Sequence, residues 1–136
     1  MLDTAVSRYT QVRATTASPG ELLIALYDGL FRFLNGAKLC LERGMRPRAS
    51  ELISKAYAIV SELFIALDHQ VAPELCARLG GVYGFAMDRL TAANITGSTV
   101  AIDEVIRVLT PLREAWVIAV PQAAREQAAA SGGGRR

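Results

Sequence analysis

The sequence contains few of the side chains from which enzymes and metalloproteins build their sites. It has one histidine, His69, and two cysteines, Cys40 and Cys76, which are far apart in the chain. A metal site needs clustered ligands, and catalysis needs a nucleophile with a base, paired carboxylates or a phosphate-binding loop. Because no such set is visible, we expect a protein that is not an enzyme, with no catalytic residue, no metal and no cofactor. Both cysteines are predicted to be buried thiols that act as small hydrophobic side chains.

Long apolar runs and an excess of charge are also missing. No stretch approaches the ~18 uninterrupted apolar residues of a membrane span, and the N-terminus lacks the basic start and apolar run of a signal peptide. Net charge is +2, from 15 basic and 13 acidic residues, whereas nucleic-acid binders usually concentrate positive charge on one face. We therefore expect a cytosolic (cytoplasmic) protein with no membrane insertion and no nucleic-acid partner.

What the sequence does contain is helical periodicity, in a chain of 136 residues that is 51% hydrophobic. The first helix opens with the capping box Ser18-Pro19-Gly20-Glu21 and ends near Arg43-Gly44. The other three begin at Pro47, after Pro73 and after Gly97-Ser98, and the second of the four ends near Asp68. Because the joints are short, successive helices must be antiparallel. The sequence predicts an all-α fold, an up-down-up-down four-helix bundle.

The two ends of the chain differ from this central part. Residues 1–17 carry a short apolar series of Leu2, Val6 and Tyr9, and a helix that short must dock on the bundle to persist. We divide the chain into an N-terminal docking segment or lid at 1–17, a bundle domain at 18–130 and a flexible glycine-rich tail at 131–136.

Three- and four-residue spacing predicts which side chains point inward. The first helix is expected to bury Leu23, Leu26, Leu30, Phe33, Ala37 and Cys40. The third is expected to bury Leu75, Leu79, Val82, Ala86, Leu90 and Ala93, and the fourth Ile102, Val105, Leu109, Leu112, Trp116 and Ala119.

The second helix has more apolar surface than one stripe requires. Beside an inner stripe of Leu52, Ala56, Ile59, Leu63 and Leu67 runs a second one of Ile53, Tyr57, Val60 and Phe64, and together they cover roughly half the circumference. The first helix adds Tyr27, Phe31, Leu34 and Leu41 beside its core series. A bundle helix touches two neighbours and can bury such a wide arc. Tyr57 and Phe64 lie at the edge of the arc, where an exposed patch would form a groove for a partner helix.

Two polar features, His69 and a cluster of arginines, can each be interpreted either as functional or as structural. A phosphoacceptor histidine would stand in the middle of a helix on its solvent face, whereas His69 is predicted to lie in a solvated joint. The cluster of Arg43, Arg46 and Arg48 can receive an acidic partner, or it can be a solvated turn with Arg43 placed favourably at a helix C-terminus.

The ordered motifs resemble those of FliS, the flagellar secretion chaperone family. The matching pieces include Tyr9-Thr10-Gln11-Val12, Ser18-Pro19-Gly20-Glu21-Leu22, Ile53-Ser54-Lys55-Ala56, Val82-Tyr83 and Leu112-Arg113-Glu114-Ala115-Trp116. The chain departs from the family pattern at Gly84, where an acidic residue is usual, and at Phe85, where the family has Tyr.

The resemblance implies a helical bundle that holds the C-terminal, polymerisation-competent segment of flagellin and presents it to the flagellar type III export apparatus. It also implies that Tyr9 belongs to a movable lid over the client surface. The expected partner-binding residues are Tyr9, Val12, Tyr27, Phe31, Ile53, Tyr57, Val60 and Phe64. Two alternatives remain: a phosphotransfer bundle that uses His69, and a structural bundle that self-associates through its surplus apolar face.

Overall fold

The computed structural model describes residues 18–133, which form four α-helices and no strand. The helices are α1 (Pro19–Glu42), α2 (Arg46–Ile65), α3 (Pro73–Thr96) and α4 (Thr99–Gly133). The predicted all-α fold is confirmed. Leu2, Val6, Tyr9 and Val12, for which the sequence makes predictions, lie outside the described residues, as do residues 134–136 of the predicted tail.

Local sequence signals set the helix ends. The Glu21 amide donates to the Ser18 hydroxyl at 3.2 Å, as the capping box predicts. The joints after α1 and α3 contain Gly44 and Gly97, both with φ of 72°, a left-handed conformation that glycine adopts without a Cβ clash. The α2 end differs from its prediction, because the helix stops at Ile65. The Asp68 carboxylate accepts the Gln70 amide at 3.1 Å, a local turn that competes with helix continuation.

Each helix packs against two neighbours, in the cyclic order α1, α2, α3, α4. Ion pairs join distant ends of α1 and α4, with Lys38 bonded to Asp103 at 2.9 Å and Arg113 to Asp28 at 2.6 Å. Because the late part of α1 meets the early part of α4, and the reverse, these helices are antiparallel. The structure is an up-down-up-down bundle.

Arg46 connects the start of α2 to the end of α3. Its Nη2 donates to the carbonyl oxygens of Asn94 and Ile95 at 3.0 and 2.9 Å. The terminal carbonyls of a helix have no intrahelical partner, so this guanidinium caps α3 from a neighbouring element. One member of the predicted arginine cluster therefore has a structural role, while Arg48 pairs with Glu51 at 2.8 Å.

The buried residues follow the predicted three- and four-residue spacing on each helix. On α1 and α3, however, some of the buried residues differ from those predicted. On α1 the fully buried residues are Tyr27, Leu30, Leu34 and Ala37, whereas Leu23, Leu26, Phe33 and Cys40 are only partly buried. On α3 Tyr83 is buried and Leu75 is 49% exposed. When the apolar arc of a helix is wider than one stripe, the sequence does not define which residues lie at its centre. Contact with the two neighbouring helices decides which of them are buried.

The fourth helix is longer than its three partners. It passes through Pro111 and Pro121 and continues to Gly133, so residues 131–133, assigned from the sequence to a flexible tail, are helical. Ala119 is exposed and Trp116 and Leu112 are partly buried, whereas the spacing predicted all three inside. Ala119 lies one residue from Val120, which packs against the first turn of α1, so the stripe of α4 reaches the end of the bundle there.

Candidate partner-binding surfaces

Two aromatic side chains of α2 form an exposed surface along its edge with α3. Tyr57 is 40% exposed and Phe64 41% exposed, and their seven-residue separation places them two turns apart on one side of the helix. A Cβ on Gly80 of α3 would lie 3.7 Å from Phe64 Cε2 and 3.8 Å from Leu67 Cδ1. We call this set, Tyr57, Phe64, Leu67 and Gly80, the α2–α3 surface.

Three of the predicted partner-binding residues lie instead in the core. Tyr27 and Val60 are fully buried and Ile53 is nearly so, so none of them is exposed to a partner in this conformation. The reason is that α1 and α2 each bury one wide arc against two neighbours. Phe31 is partly buried and packs at the edge of the core. Of the predicted set within residues 18–133, Tyr57 and Phe64 are thus the most exposed.

Tyr27 belongs to a polar cluster inside the bundle. Its hydroxyl lies 2.6 Å from the Tyr83 hydroxyl, a buried hydrogen bond that joins α1 to α3 across the bundle diagonal. Burial raises the pKa of both phenols, and their mutual hydrogen bond raises that of Tyr83 further. Both remain neutral near pH 7. The pair fixes the position of the two diagonal helices and has no place in proton transfer.

The indole of Trp116 completes this cluster from α4. Its buried N–H makes no hydrogen bond of good geometry, yet it is close enough to the Tyr27 hydroxyl to oppose in part the rise in that pKa. A hydrogen bond contributes fully only at good geometry, which this contact lacks. Trp116 therefore packs against the tyrosine pair rather than anchoring it.

A second exposed surface, which the sequence did not indicate, lies between α3 and α4. It is a shallow groove of about 370 Å³ lined by Arg78, Gly81, Val82, Phe85 and Val108. Phe85 is 40% exposed, and a Cβ on Gly81 would meet no atom within 4 Å. The signal in the sequence was Gly81, a glycine inside a helix, followed one turn later by the aromatic Phe85. Sequence reasoning missed it because the opposite wall comes from another helix.

The remaining polar candidates form no reactive site. His69 is exposed in the loop between α2 and α3, not on the solvent face of a helix as a phosphoacceptor requires. Cys76 is buried, with its Sγ 3.3 Å from the Asp68 carbonyl oxygen, and Cys40 is partly buried. Within residues 18–133, no group of His, Cys, Asp and Glu is arranged to hold a metal ion. No described helix is long and apolar enough to span a bilayer.

The chain is similar to several known proteins over most of its length. The family model of the flagellar protein FliS matches residues 2–123. The flagellar secretion chaperone FliS of Bacillus subtilis is 36% identical over 125 residues, which is 92% of both chains. FliS of Salmonella typhimurium is 32% identical over 90% of this chain and 94% of its own.

A solved structure agrees in fold. The crystal structure of a bacterial flagellar chaperone superposes with a TM-score of 0.72 at 23% identity, and the match covers 88% of this chain and 97% of that one. At that identity the likeness concerns the fold alone. The family model and the sequence relatives, together with the four-helix bundle, show that this chain belongs to the FliS family of flagellar proteins.

Proposed function

We propose that this protein is a flagellar export chaperone that binds the C-terminal helical segment of flagellin. It keeps that segment from polymerising in the cytosol and delivers it to the flagellar type III export apparatus. The proposal rests on membership of a family whose relatives are named flagellar secretion chaperones. The observation that carries the binding mode is the α2–α3 surface, with two half-exposed aromatic side chains two turns apart on one helix.

The mechanism is capture of a helix in a groove, without chemistry. An amphipathic client helix buries its apolar side chains against Tyr57 and Phe64, and the free energy comes from apolar area removed from water. Ordering a disordered client opposes part of this gain. Binding of this type carries a negative heat-capacity change, and the protein acts as a binding partner rather than as an enzyme.

The direct test compares two adjacent residues of one helix. Phe64→Ala, alone and with Tyr57→Ala, is titrated calorimetrically with the C-terminal region of the host's flagellin. We expect at least a tenfold loss of affinity, about 1.4 kcal/mol, because aromatic anchors dominate interfaces of this kind. The matched control is Ile65→Ala, since Ile65 is 75% exposed but lies about 100° further around α2. Its affinity should stay within twofold of the parent.

Two further measurements separate this function from its rivals. Flagellin that lacks the C-terminal segment should not bind, and equal binding of both forms would refute the proposed client segment. A size measurement without flagellin tests the self-associating bundle. Larger particles that dissociate in the Phe64→Ala variant would assign the α2–α3 surface to a second copy instead.

The proposal includes residues 1–17 as a lid over the client surface. Tyr9 and Val12 belong to this segment, and the aromatic ring of Tyr9 would bury a large area against the groove. Hydrogen exchange of the full chain tests displacement. Amides of residues 1–17 should lose protection when flagellin binds, whereas unchanged or increased protection would rule displacement out.

A further inference from the structure

The burial of α4 changes at Thr110 and Pro111, in the middle of the helix. Leu109 is fully buried, and beyond it none of the α4 side chains described through residue 132 is fully buried. The helix itself continues without interruption to Gly133. The loss of full burial therefore coincides with two particular residues and not with a helix end.

Both of these residues weaken the hydrogen bonds of the helix at this point. Pro111 has no amide hydrogen, so the carbonyl oxygen of Arg107, four residues earlier, loses its intrahelical partner. The Thr110 hydroxyl donates to the Ile106 carbonyl oxygen at 2.6 Å, and a bond of this kind often bends a helix because it competes with the backbone bond to the same oxygen. We call Thr110 and Pro111 the α4 hinge.

Residues 112–120, which we call the α4 arm, contact α1 through side chains that are only partly buried. Arg113 Nε donates to the Asp28 carboxylate at 2.6 Å, and the two side chains are 38% and 41% exposed. An ion pair as exposed as this one contributes little to stability. Val120 packs against the first turn of α1, since a Cβ on Gly20 would lie 2.5 Å from its Cγ1. The arm is therefore held to α1 by few and exposed contacts.

Trp116 is the largest side chain that the α4 arm places against the bundle. Its ring is partly buried and packs on the Tyr27–Tyr83 pair. Its indole N–H is buried and has no hydrogen-bond partner among residues 18–133. A buried donor without a partner has lost its hydrogen bond to water and gained none in return. Opening of the arm would hydrate this N–H, which offsets part of the free energy lost when the ring leaves the tyrosine pair.

We propose that the α4 arm swings away from α1 about the α4 hinge, and that Trp116, packed on the tyrosine pair, is the latch that holds the arm closed. The closed form is the conformation described above. Opening removes the indole ring from Tyr27, a residue that the sequence indicates for partner binding and that the closed form buries completely. This device does not depend on the identity of the client, because hinge, arm and latch all belong to this chain.

The chain has a single tryptophan, so its fluorescence reports on the latch directly. Acrylamide quenching of Trp116, measured on the full chain without any partner, gives the exposure of the indole ring. Pro111→Ala supplies the amide that the helix lacks at the hinge, and it removes no core side chain because Pro111 is exposed. We expect the quenching constant to fall at least about twofold, since a fully hydrogen-bonded helix resists bending.

Pro121→Ala is the matched control for the hinge. Pro121 is also an exposed proline inside α4, but it lies beyond the arm. The variant restores the same kind of hydrogen bond and should leave the quenching of Trp116 unchanged. Equal decreases in the two variants, or no decrease with Pro111→Ala, would overturn the proposal.

Two charge substitutions test opening in the other direction. Asp28→Asn removes the ion pair between α1 and the arm, and it should raise the quenching constant about twofold. Asp103→Asn is its control, because it removes the ion pair with Lys38 between the same two helices but outside the arm, and quenching should stay at the parent value. Circular dichroism checks that the variants remain folded. Equal increases would indicate general loosening of the bundle and contradict the proposal.

Amide hydrogen exchange distinguishes an arm that swings from one that unfolds. A swinging arm keeps its own backbone hydrogen bonds as it opens. Asp28→Asn should therefore raise the quenching of Trp116 while exchange of the amides of residues 116–120 stays within about twofold of the parent. Exchange that accelerates in parallel with quenching would mean that residues 112–120 unravel, and the hinge would be refuted.

Discussion

The two parts of α4 hold the same helical conformation for different physical reasons. From Thr99 to Val120 the helix lies against α1 and α3, and Ile102, Val105 and Leu109 are fully buried. From Pro121 onward, every described side chain through residue 132 is exposed. The packed part is stabilised by burial of an apolar face. The projecting part is rich in alanine and glutamine, which favour a helix with little tertiary contact.

The boundary between these parts coincides with the start of α1. A Cβ on Gly20 would lie 2.5 Å from Val120 Cγ1, so the first turn of α1 packs closely against this point of α4. Beyond it every described side chain of α4 through residue 132 is exposed. Extending an existing helix by further residues costs little free energy, because the unfavourable nucleation step has already occurred. An observed helix therefore does not by itself indicate a packed one.

The largest difference in the free energy of unfolding is expected between substitutions of a buried and of an exposed side chain of α4. Leu109→Ala removes a fully buried side chain and should lower the free energy of unfolding by about 2–5 kcal/mol. Ile118→Ala, at a position 70% exposed, should change it by less than about 0.5 kcal/mol. Urea unfolding monitored by circular dichroism measures both. Equal losses would show that Ile118 is packed in solution and not exposed.

Alkaline pH should destabilise the packed region through its tyrosine pair. Burial raises the folded-state pKa of Tyr27 and Tyr83 above the unfolded value of 10.0. The folded chain therefore binds more protons above pH 10, and stability that is fully present below that pH is lost as the pH rises. The limiting slope is about 1.4 kcal/mol per pH unit for each tyrosine that stays protonated.

Urea unfolding between pH 8 and 11 measures this slope. The double variant Tyr27→Phe with Tyr83→Phe should show a flatter profile, since neither ring can then ionise. A profile unchanged by the double substitution would assign the alkaline loss to other groups.

The joint that leads into α4 should be sensitive to a single methyl group. Gly97→Ala places a Cβ at φ of 72° and within 2.6 Å of Arg46 Nη1. We expect a loss of about 1–2 kcal/mol from the left-handed backbone alone. Gly84→Ala is the control, since its Cβ meets open space and alanine favours a helix, so it should raise stability by up to about 1 kcal/mol. Thermal unfolding of the two variants should shift in opposite directions.

Removal of the projecting part should have the smallest effect. A chain that ends at Val120 loses no described buried side chain, so its free energy of unfolding should stay within about 0.5 kcal/mol of the full chain. Helical circular dichroism should fall in proportion to the residues removed. A large loss of stability would mean that this part packs on the bundle in solution.

Much of the fold could be predicted from local sequence signals. The capping box at Ser18, the proline at the start of α3 and the glycine after it each act within a few residues, and the structure places the helix ends at or near those positions. The same reasoning placed His69 in a loop. It also placed Tyr57 and Phe64 at the edge of the apolar arc of α2, where both are half exposed.

Tertiary structure decided which part of each apolar arc is covered. Tyr27, Ile53 and Val60 resemble Tyr57 and Phe64 in the sequence pattern, yet neighbouring helices bury the first three and leave the other two half exposed. The groove between α3 and α4 required Val82 and Val108 from two helices to meet. Periodicity defines the direction of a side chain around its own helix, but its exposure depends on where the neighbouring helices end, as the projecting part of α4 demonstrates.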